Sequence, residues 1–572
     1  MNDAELGVPI SLLWPQGADA RPDTDHSRWG ERTPADLGIE TLAGRISPDS
    51  RHAASILSFL LQLTTDAAVI RYRQEVLADC LSIPEIAAAF ESLQTPLLEM
   101  KRLGGPLPAE QTPLRKTINR LGELELYVDC VQTLWKVLSA RREKIRSAAL
   151  LRLLEFVSKA RDQRSFPAMQ RELPGLRARY SGISGISIGV NLDDGLQPVE
   201  AVLLSIHDKP FRGGNFLSRL FGKGSPESEQ GIAPLHILPF RRVPGTMVDA
   251  DSYLREEPKL FPLFNDLDRI LKDVTKPIAQ VLTQYLRINT QPLAALGDEA
   301  VFYINGVRLS KALTAAGLPV CTPEIAPIEE RVCEIEGLYN INLALDLLDS
   351  GGAQPLSEAV VRNDVRFGPQ GRIFILTGPN RGGKTVFTRA VGLAHALFQA
   401  GLFVPGSRAR ISPVAGILSH FPCEEQPGLD LGRLGEEASR IHDLFRRVTR
   451  HHLVLLNESL STTSPGEGIY LARDVIRAIR MIGAQAIFAT HLHELGDIDP
   501  INRDTEGDSL AVSLVAGSES IAAPEGGGES VRRTFTIRPG PPQGISYARD
   551  IARQYGIELH QILALLKERK IL

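Results

Sequence analysis

The chain has 572 residues, a formal net charge of −4, and 43% apolar and 6% aromatic residues. That length exceeds one compact core and predicts roughly two to four domains, while ordinary apolar content excludes a disordered or fibrous chain. The charge argues against a uniformly basic nucleic-acid binder, although a local basic face stays open because phosphate binding follows charge distribution.

No run of about 18 uninterrupted apolar residues occurs, so no transmembrane span is predicted. Met1 to Leu6 lack the basic-then-apolar pattern of a secretion signal. The five cysteines, Cys80, Cys130, Cys321, Cys333 and Cys423, are odd in number and form no Cys-x-x-Cys pair. They read as free thiols of a protein in the reducing cytoplasm, without a zinc site or a disulfide framework.

Residues 1–44 are rich in Pro, Gly and Asp with apolar islands such as Ile10 to Trp14, and read as an extended arm docked on the body. From Ile46 to about Arg179 helical periodicity dominates. The stretch from Val131 through Lys159 carries few breakers and places Leu134, Val137, Leu138, Ile145, Leu150, Leu153 and Leu154 on one apolar face. Its other face is basic, with Arg141, Arg142, Lys144, Arg146, Arg152, Lys159 and Arg161. A solvated surface and a phosphate-contacting surface both fit that run.

Strand patterns follow at Ile186–Val190 and Val199–Leu204, separated by a turn over Asn191–Gly195. Residues 211–242 hold several glycines and basic residues and read as a mobile loop or small protruding element. Helices return between about Ser252 and Ala316. Pro319, Pro323 and Pro327 then punctuate the chain, and a domain junction is expected near Asn340. The organisation predicted is an arm over 1–44, a helical core over 45–335 with a small β-containing insertion around 183–250, and a nucleotide-binding half over 336–572. Residues 504–530, rich in Gly, Ser and Glu, read as a flexible excursion between strands.

The most informative segment runs from Phe374 to Val386. An apolar run leads into Gly378, Pro379, Asn380, Arg381, Gly382, Gly383, Lys384 and Thr385, which fill the pattern G-x-x-x-x-G-K-[ST]. Such a loop turns backbone N–H groups toward phosphates, Lys384 reaches the β and γ oxygens, and the Thr385 hydroxyl ligates Mg²⁺. The helix beginning near Lys384 adds the positive end of its dipole. ATP and Mg²⁺ are the ligands this predicts.

His452–Leu456 is a buried-strand run followed by Asn457 and Glu458, and Gln485–Thr490 is another that ends at His491. In this order Glu458 is the candidate general base, with a strand merely ending in two polar residues as the alternative. His491 is the candidate sensor of the γ-phosphate, although a lone strand-end histidine is usually structural.

Thr377-Gly-Pro-Asn-Arg-Gly-Gly-Lys-Thr385 resembles the phosphate loop of the MutS mismatch-repair ATPases. Leu453 to Glu458 with Thr462, Thr463, Ser464 and Gly468 is similar to their Mg²⁺ strand, and Phe488 to Leu495 to their histidine loop. Gly544-Ile-Ser-Tyr-Ala548, with Ala552 and Ile557, resembles their C-terminal Gly-x-Ser-Tyr-Gly segment. Upstream, Thr65-Asp66 and Ile70 to Val76 resemble the start of their helical core. The resemblance implies a multidomain α/β plus all-α protein, a helical lever and clamp core joined to an ABC-type P-loop ATPase domain with a C-terminal helical dimerisation segment. It implies a homodimer through the ATPase domains, ATP hydrolysis driving a clamp on mismatched, branched or distorted double-stranded DNA, and no membrane partner. A nucleotide-switched scaffold with little hydrolysis, and an ATPase acting on a protein or RNA, are the alternatives.

Four departures qualify it. Asn457 stands where the family has Asp, so Mg²⁺ would be held through water by a neutral amide, and slower turnover is expected. Val360 replaces an adenine-stacking aromatic, and Leu429–Glu437 matches the trans-acting serine motif poorly, so Ser439 is not assigned that role. The roughly 45 residues ahead of the core are too few for a mismatch-reading domain of about 50 residues or more, and no Phe-x-Glu wedge is present.

Overall fold

A computed structural model of the protein describes residues 10–17, 28–47, 49–105, 113–181, 185–195, 198–209, 212–213, 230–231, 276–351, 354–422, 432–521, 530–542, 556–569 and 571. The described chain divides into two compact units, one formed by Leu93–Ser139 and Leu154–Gly297, the other by Ile10–Ser92, Ala140–Leu153 and Asp298–Leu572.

The first unit is helical with a β-hairpin. Helix Pro113–Ala140 buries Leu121, Leu124, Val131, Leu134 and Leu138, a helical spacing that gives one continuous apolar face. Helix Ser165–Ser181 buries Phe166, Met169, Leu173 and Leu176 in the same way. Strands Gly185–Leu192 and Pro198–His207 pair antiparallel, and Asp193 Oδ1 accepts from Gly195 N at 2.9 Å in the expected turn. Most of 211–242 lies outside the described residues.

The second unit is built on a six-stranded sheet. Its strands are β1 (Ile373–Thr377), β2 (Gly416–His420), β3 (His452–Asn457), β4 (Gln485–Ala489), β5 (Ala511–Ile521) and β6 (Ser530–Pro539), in spatial order β2-β3-β4-β1-β5-β6. The first five are mutually parallel and β6 closes an antiparallel hairpin with β5. Every residue of β1 and β4 is buried, which is why these strands read as unbroken apolar runs rather than alternating ones. Helices Lys384–Gln399, Gly432–Phe445 and Pro465–Ile482 connect them. A second, four-stranded sheet is formed by Glu324–Ile325, Arg408–Ile411, Cys333–Leu338 and Asn363–Phe367. The protein is thus a mixed helical and α/β molecule.

Three expectations need correction. The N-terminal arm is extended only in part. Ile10 to Leu13 are buried, with the Tyr303 hydroxyl donating to Leu12 O at 3.0 Å, and Trp29 forms a parallel bridge to Ile417 beside β2. Between them and the core, Thr33–Leu37 and Ile39–Ile46 are helices. Ile39, Leu42, Ala43 and Ile46 are all buried, a helical spacing hidden by the Pro- and Gly-rich composition around it.

The basic stretch from Val131 to Lys159 is not continuous. It turns at Arg141–Lys144, and a new helix starts at Ala148. Asp79 Oδ2 accepts from Arg146 N at 3.0 Å and Ser147 N at 2.8 Å, so a carboxylate brought from elsewhere in the sequence caps the break. Several of its basic residues are engaged: Arg141 bonds Glu85, and Arg161 stacks 3.5 Å over the Trp135 ring. The excursion expected over 504–530 is strand from Ala511 to Ile521, because Ala511–Val515 pair with β1.

Among the described residues no helix is long and apolar enough to cross a membrane. Cys80, Cys130, Cys321 and Cys333 are free thiols, and Cys423 lies outside the described residues.

Candidate nucleotide-binding site

The site lies at the C-terminal ends of β1, β3 and β4. Parallel strands deliver their chain ends to one edge, so the turns after Thr377, Asn457 and Ala489 meet there. Gly378 (φ 144°) and Gly383 (φ 93°) adopt backbone that L side chains avoid, and a Cβ at Gly378 would fall 2.7 Å from that of Ala516. Asn380 and Arg381 are exposed at the loop apex, Arg381 itself left-handed at φ 62°. Gly382 N donates to Pro379 O at 3.0 Å and closes the turn.

Lys384 is buried. Its Nζ donates to Gly378 O at 2.9 Å and Pro379 O at 3.2 Å, and lies 3.4 Å from Glu458 Oε1. Burial lowers its pKa and the Glu458 charge opposes that effect. The Thr385 hydroxyl donates to Asn457 Oδ1 at 3.0 Å. Two oxygen donors from opposite ends of the motif therefore share one spot, the donor type a hard cation such as Mg²⁺ takes.

Glu458 and His491, expected to act separately, are bonded. His491 Nδ1 lies 2.5 Å from Glu458 Oε2. Burial alone would raise the Glu458 carboxyl, but the His491 hydrogen bond and the Lys384 charge outweigh it and hold it below the usual carboxylate range. The same hydrogen bond raises His491 above its ordinary value, against a smaller effect of burial. Glu458 is left-handed at φ 50°, with its N–H donating to Ala489 O at 2.7 Å.

Other residues singled out in the sequence fall differently. Val360 is buried, so it presents no open face. Ser439 is an exposed residue of helix Gly432–Phe445, and 429–431 lie outside the described residues. The Gly544 to Ala548 segment also lies outside them. Helix Leu559–Glu568 beyond it exposes Leu559, Ile562, Leu563 and Leu565.

One neighbour of the loop escaped sequence reasoning. Phe535 of β6 is 44% exposed, left-handed at φ 56°, with its ring Cδ1 3.5 Å from where a Gly383 Cβ would stand. Asn363 supports the kink, donating from Nδ2 to Phe535 O at 3.2 Å and accepting from Ile537 N at 2.6 Å. Only the pairing of β5 with β1 brings this hairpin beside the loop, so no local signal could have found it.

A family model described as MutS2 N-terminal domain matches residues 65–316, and one described as MutS domain V matches residues 374–522. The chain is 28% identical over 450 residues to Endonuclease MutS2 of Thermomicrobium roseum, covering 73% of this chain and 52% of that protein. It is 29% identical to Endonuclease MutS2 of Thermus thermophilus over 40% of this chain and 32% of that protein. To the DNA mismatch repair protein MutS of Caldanaerobacter subterraneus subsp. tengcongensis it is 35% identical over 44% of this chain and 26% of that protein. The chain spans about half the length of the first of these curated relatives and less of the others.

Proposed function

Because the chain belongs to the MutS-type family, we propose that it is an ATP-dependent DNA-binding protein whose ATPase site is the loop and strand ends described above. The observation carrying this reading is the convergence of Lys384, Thr385, Asn457, Glu458 and His491 on one edge of the sheet. The donor set fits ATP with Mg²⁺: a buried lysine within a glycine loop for phosphate, and paired hydroxyl and amide oxygens for the metal. Bound there, ATP–Mg²⁺ supplies the phosphoanhydride bond and the cation that neutralises its charge.

Residues 378–385 wrap the phosphates, and Lys384 exchanges its loop-carbonyl contacts for phosphate oxygens. Thr385 and Asn457 would hold the metal, the neutral Asn457 amide acting through a metal-bound water. Glu458 takes the proton of the attacking water. His491, bonded to that carboxylate, ties its protonation to the occupant of the loop. Phe535 lies where it can contact the nucleotide in place of the aromatic missing at Val360. We further assign residues 45–335 as a lever and clamp core around a β-containing insertion at 183–250, residues 336–572 as the ATPase domain, and the C-terminal helix to dimer contact. Mismatched, branched or otherwise distorted duplex DNA is the target assigned.

The test is a pair of variants. Lys384→Ala should abolish ATP binding, while Glu458→Ala should bind ATP and lose at least a hundredfold in hydrolysis, the scale of a lost general base (about 10²–10⁴). Hydrolysis by Glu458→Ala equal to that of the wild type would overturn the assignment. A second reading, a nucleotide-switched scaffold with little turnover, is favoured by the neutral Asn457, and single-turnover hydrolysis by the wild-type protein separates the two.

A further inference from the structure

The carboxylate assigned as general base stands in a turn that does not favour its own conformation. Glu458 and Leu460 are both left-handed, at φ 50° and 61°. Neither is the glycine or asparagine that tolerates this region, so the surrounding structure must impose it. Two supports are local: Ser461 Oγ donates to Glu458 O at 2.7 Å, and the Leu460 side chain is buried in the core.

The third support comes from a different strand. Ser459, between the two left-handed residues, is fully buried, and its Oγ lies 2.7 Å from Nδ1 of His420, the last residue of β2. The same oxygen donates to the His420 carbonyl at 3.3 Å. A hydroxyl has one proton, so this arrangement needs the Nδ1–H tautomer: the ring donates to Ser459 and Ser459 donates to the carbonyl. Nε2, which has no partner, is then a bare lone pair rather than a stranded N–H. Burial, with the Arg440 charge acting in the same sense, pushes the imidazole down to about 4, so the link is neutral at ordinary pH. Further along the loop, Thr462 Oγ1 donates to Glu437 Oε2 at 2.8 Å, tethering it to helix Gly432–Phe445.

We infer that Ser459 and His420 are positioning residues, their buried hydroxyl–imidazole link holding Glu458 in the left-handed turn that aims its carboxylate at Lys384 and His491. The catalytic consequence rests on the ATPase reading above; the geometric one does not. Neither residue belongs to the phosphate loop, and the hydrogen bonds between them run to each other.

Two readouts on the full-length protein test this. In Ser459→Ala and His420→Phe, kcat for ATP should fall about ten- to hundredfold with KM within twofold, as a displaced but intact base predicts. His420→Asn, whose side-chain amide N–H stands in for the Nδ1–H that faces Ser459, should recover most of that loss. Independently of hydrolysis, the ring resonances of selectively labelled His491, assigned by their loss in His491→Asn, should titrate at lower pH in Ser459→Ala because Glu458 has moved away. Unchanged kcat together with an unchanged His491 titration in folded Ser459→Ala would overturn the inference, as would a rise in KM at constant kcat. Absence of hydrolysis by the wild-type protein would overturn the ATPase reading, and the His491 titration would still decide the link. Should Ser459→Ala fail to fold, the near-isosteric Ser459→Cys carries the same comparison.

Discussion

Glu458 is held on one side by Lys384 and on the other by His491, so the basicity of the carboxylate proposed as general base depends on which neighbour is charged. The two shifts have opposite signs: Glu458 is lowered and His491 is raised above its ordinary 6.5. The ion pair between them is therefore complete below the ordinary histidine pKa, and is lost as pH rises through the raised value of His491. Loss of the imidazolium frees the carboxylate and restores its basicity. Hydrolysis at saturating ATP should accordingly increase with pH over a range beginning above 6.5, and His491→Asn should flatten that limb. A kcat profile between pH 6 and pH 9, about the span over which a raised histidine titrates, checks it; an identical rise in His491→Asn would remove His491 from the account. The motif order pointed to both residues, but not to their contact. Local sequence places a side chain at a strand end, whereas which strand ends are neighbours depends on sheet order.

The phosphate-loop helix, Lys384–Gln399, shows what one element must reconcile. Its N-terminus serves the site, and its buried remainder packs in the sheet domain. At the far end Arg73, itself buried, donates to Gln399 O at 3.0 Å and places a cation on the negative end of the helix dipole. Midway, His395 is fully buried with neither ring nitrogen partnered, and burial lowers its pKa to about 4. Below the ordinary histidine pKa the unfolded chain binds a proton that the folded chain takes up only near pH 4. Stability is therefore fully present above about pH 6.5 and falls as pH drops toward 4. His395→Leu should stabilise the protein by about 1–3 kcal/mol, the cost of a buried unpaired polar group. It should also weaken the loss of stability across that pH window, measured by urea unfolding at pH 7.5 and pH 5, which lie on either side of the ordinary histidine pKa of about 6.5. Equal pH sensitivity in the variant would show that other groups govern acid unfolding. The start of this helix was legible from the loop before it. The two arm helices were not, because eight residues or fewer of apolar spacing are outweighed by surrounding Pro and Gly.

Across the molecule, a net charge of −4 must coexist with DNA binding if the proposed function holds. Basic residues are then concentrated on the binding surface, and affinity should depend steeply on salt. A clamp contacting about four or more phosphates gives a slope near −4 or steeper in log affinity against log salt. Titration of branched, mismatched and homoduplex DNA across salt, with and without ATP, measures it; a slope near zero would favour a protein partner. The chain divides into two compact units, and helical periodicity marked the region from Ile46 to about Arg179 as helical without giving the bounds of its helices, which run from Ser50–Leu61 to Ser165–Ser181. The break at Arg141 was invisible, since its cap is Asp79, more than sixty positions earlier.

Sequence alone marked the glycine-loop pattern, the buried strands β1, β3 and β4 and the resemblance to the MutS family, because each rests on residue type at short spacing: glycines where φ must be positive, unbroken apolar runs where both faces are covered. Tertiary structure decided the rest. It joined His491 to Glu458, set Phe535 beside Gly383, and tied Ser459 to His420 across neighbouring strands. Those contacts depend on how the chain orders β2-β3-β4-β1-β5-β6, which is a balance of packing over the whole sheet rather than a property of any one segment.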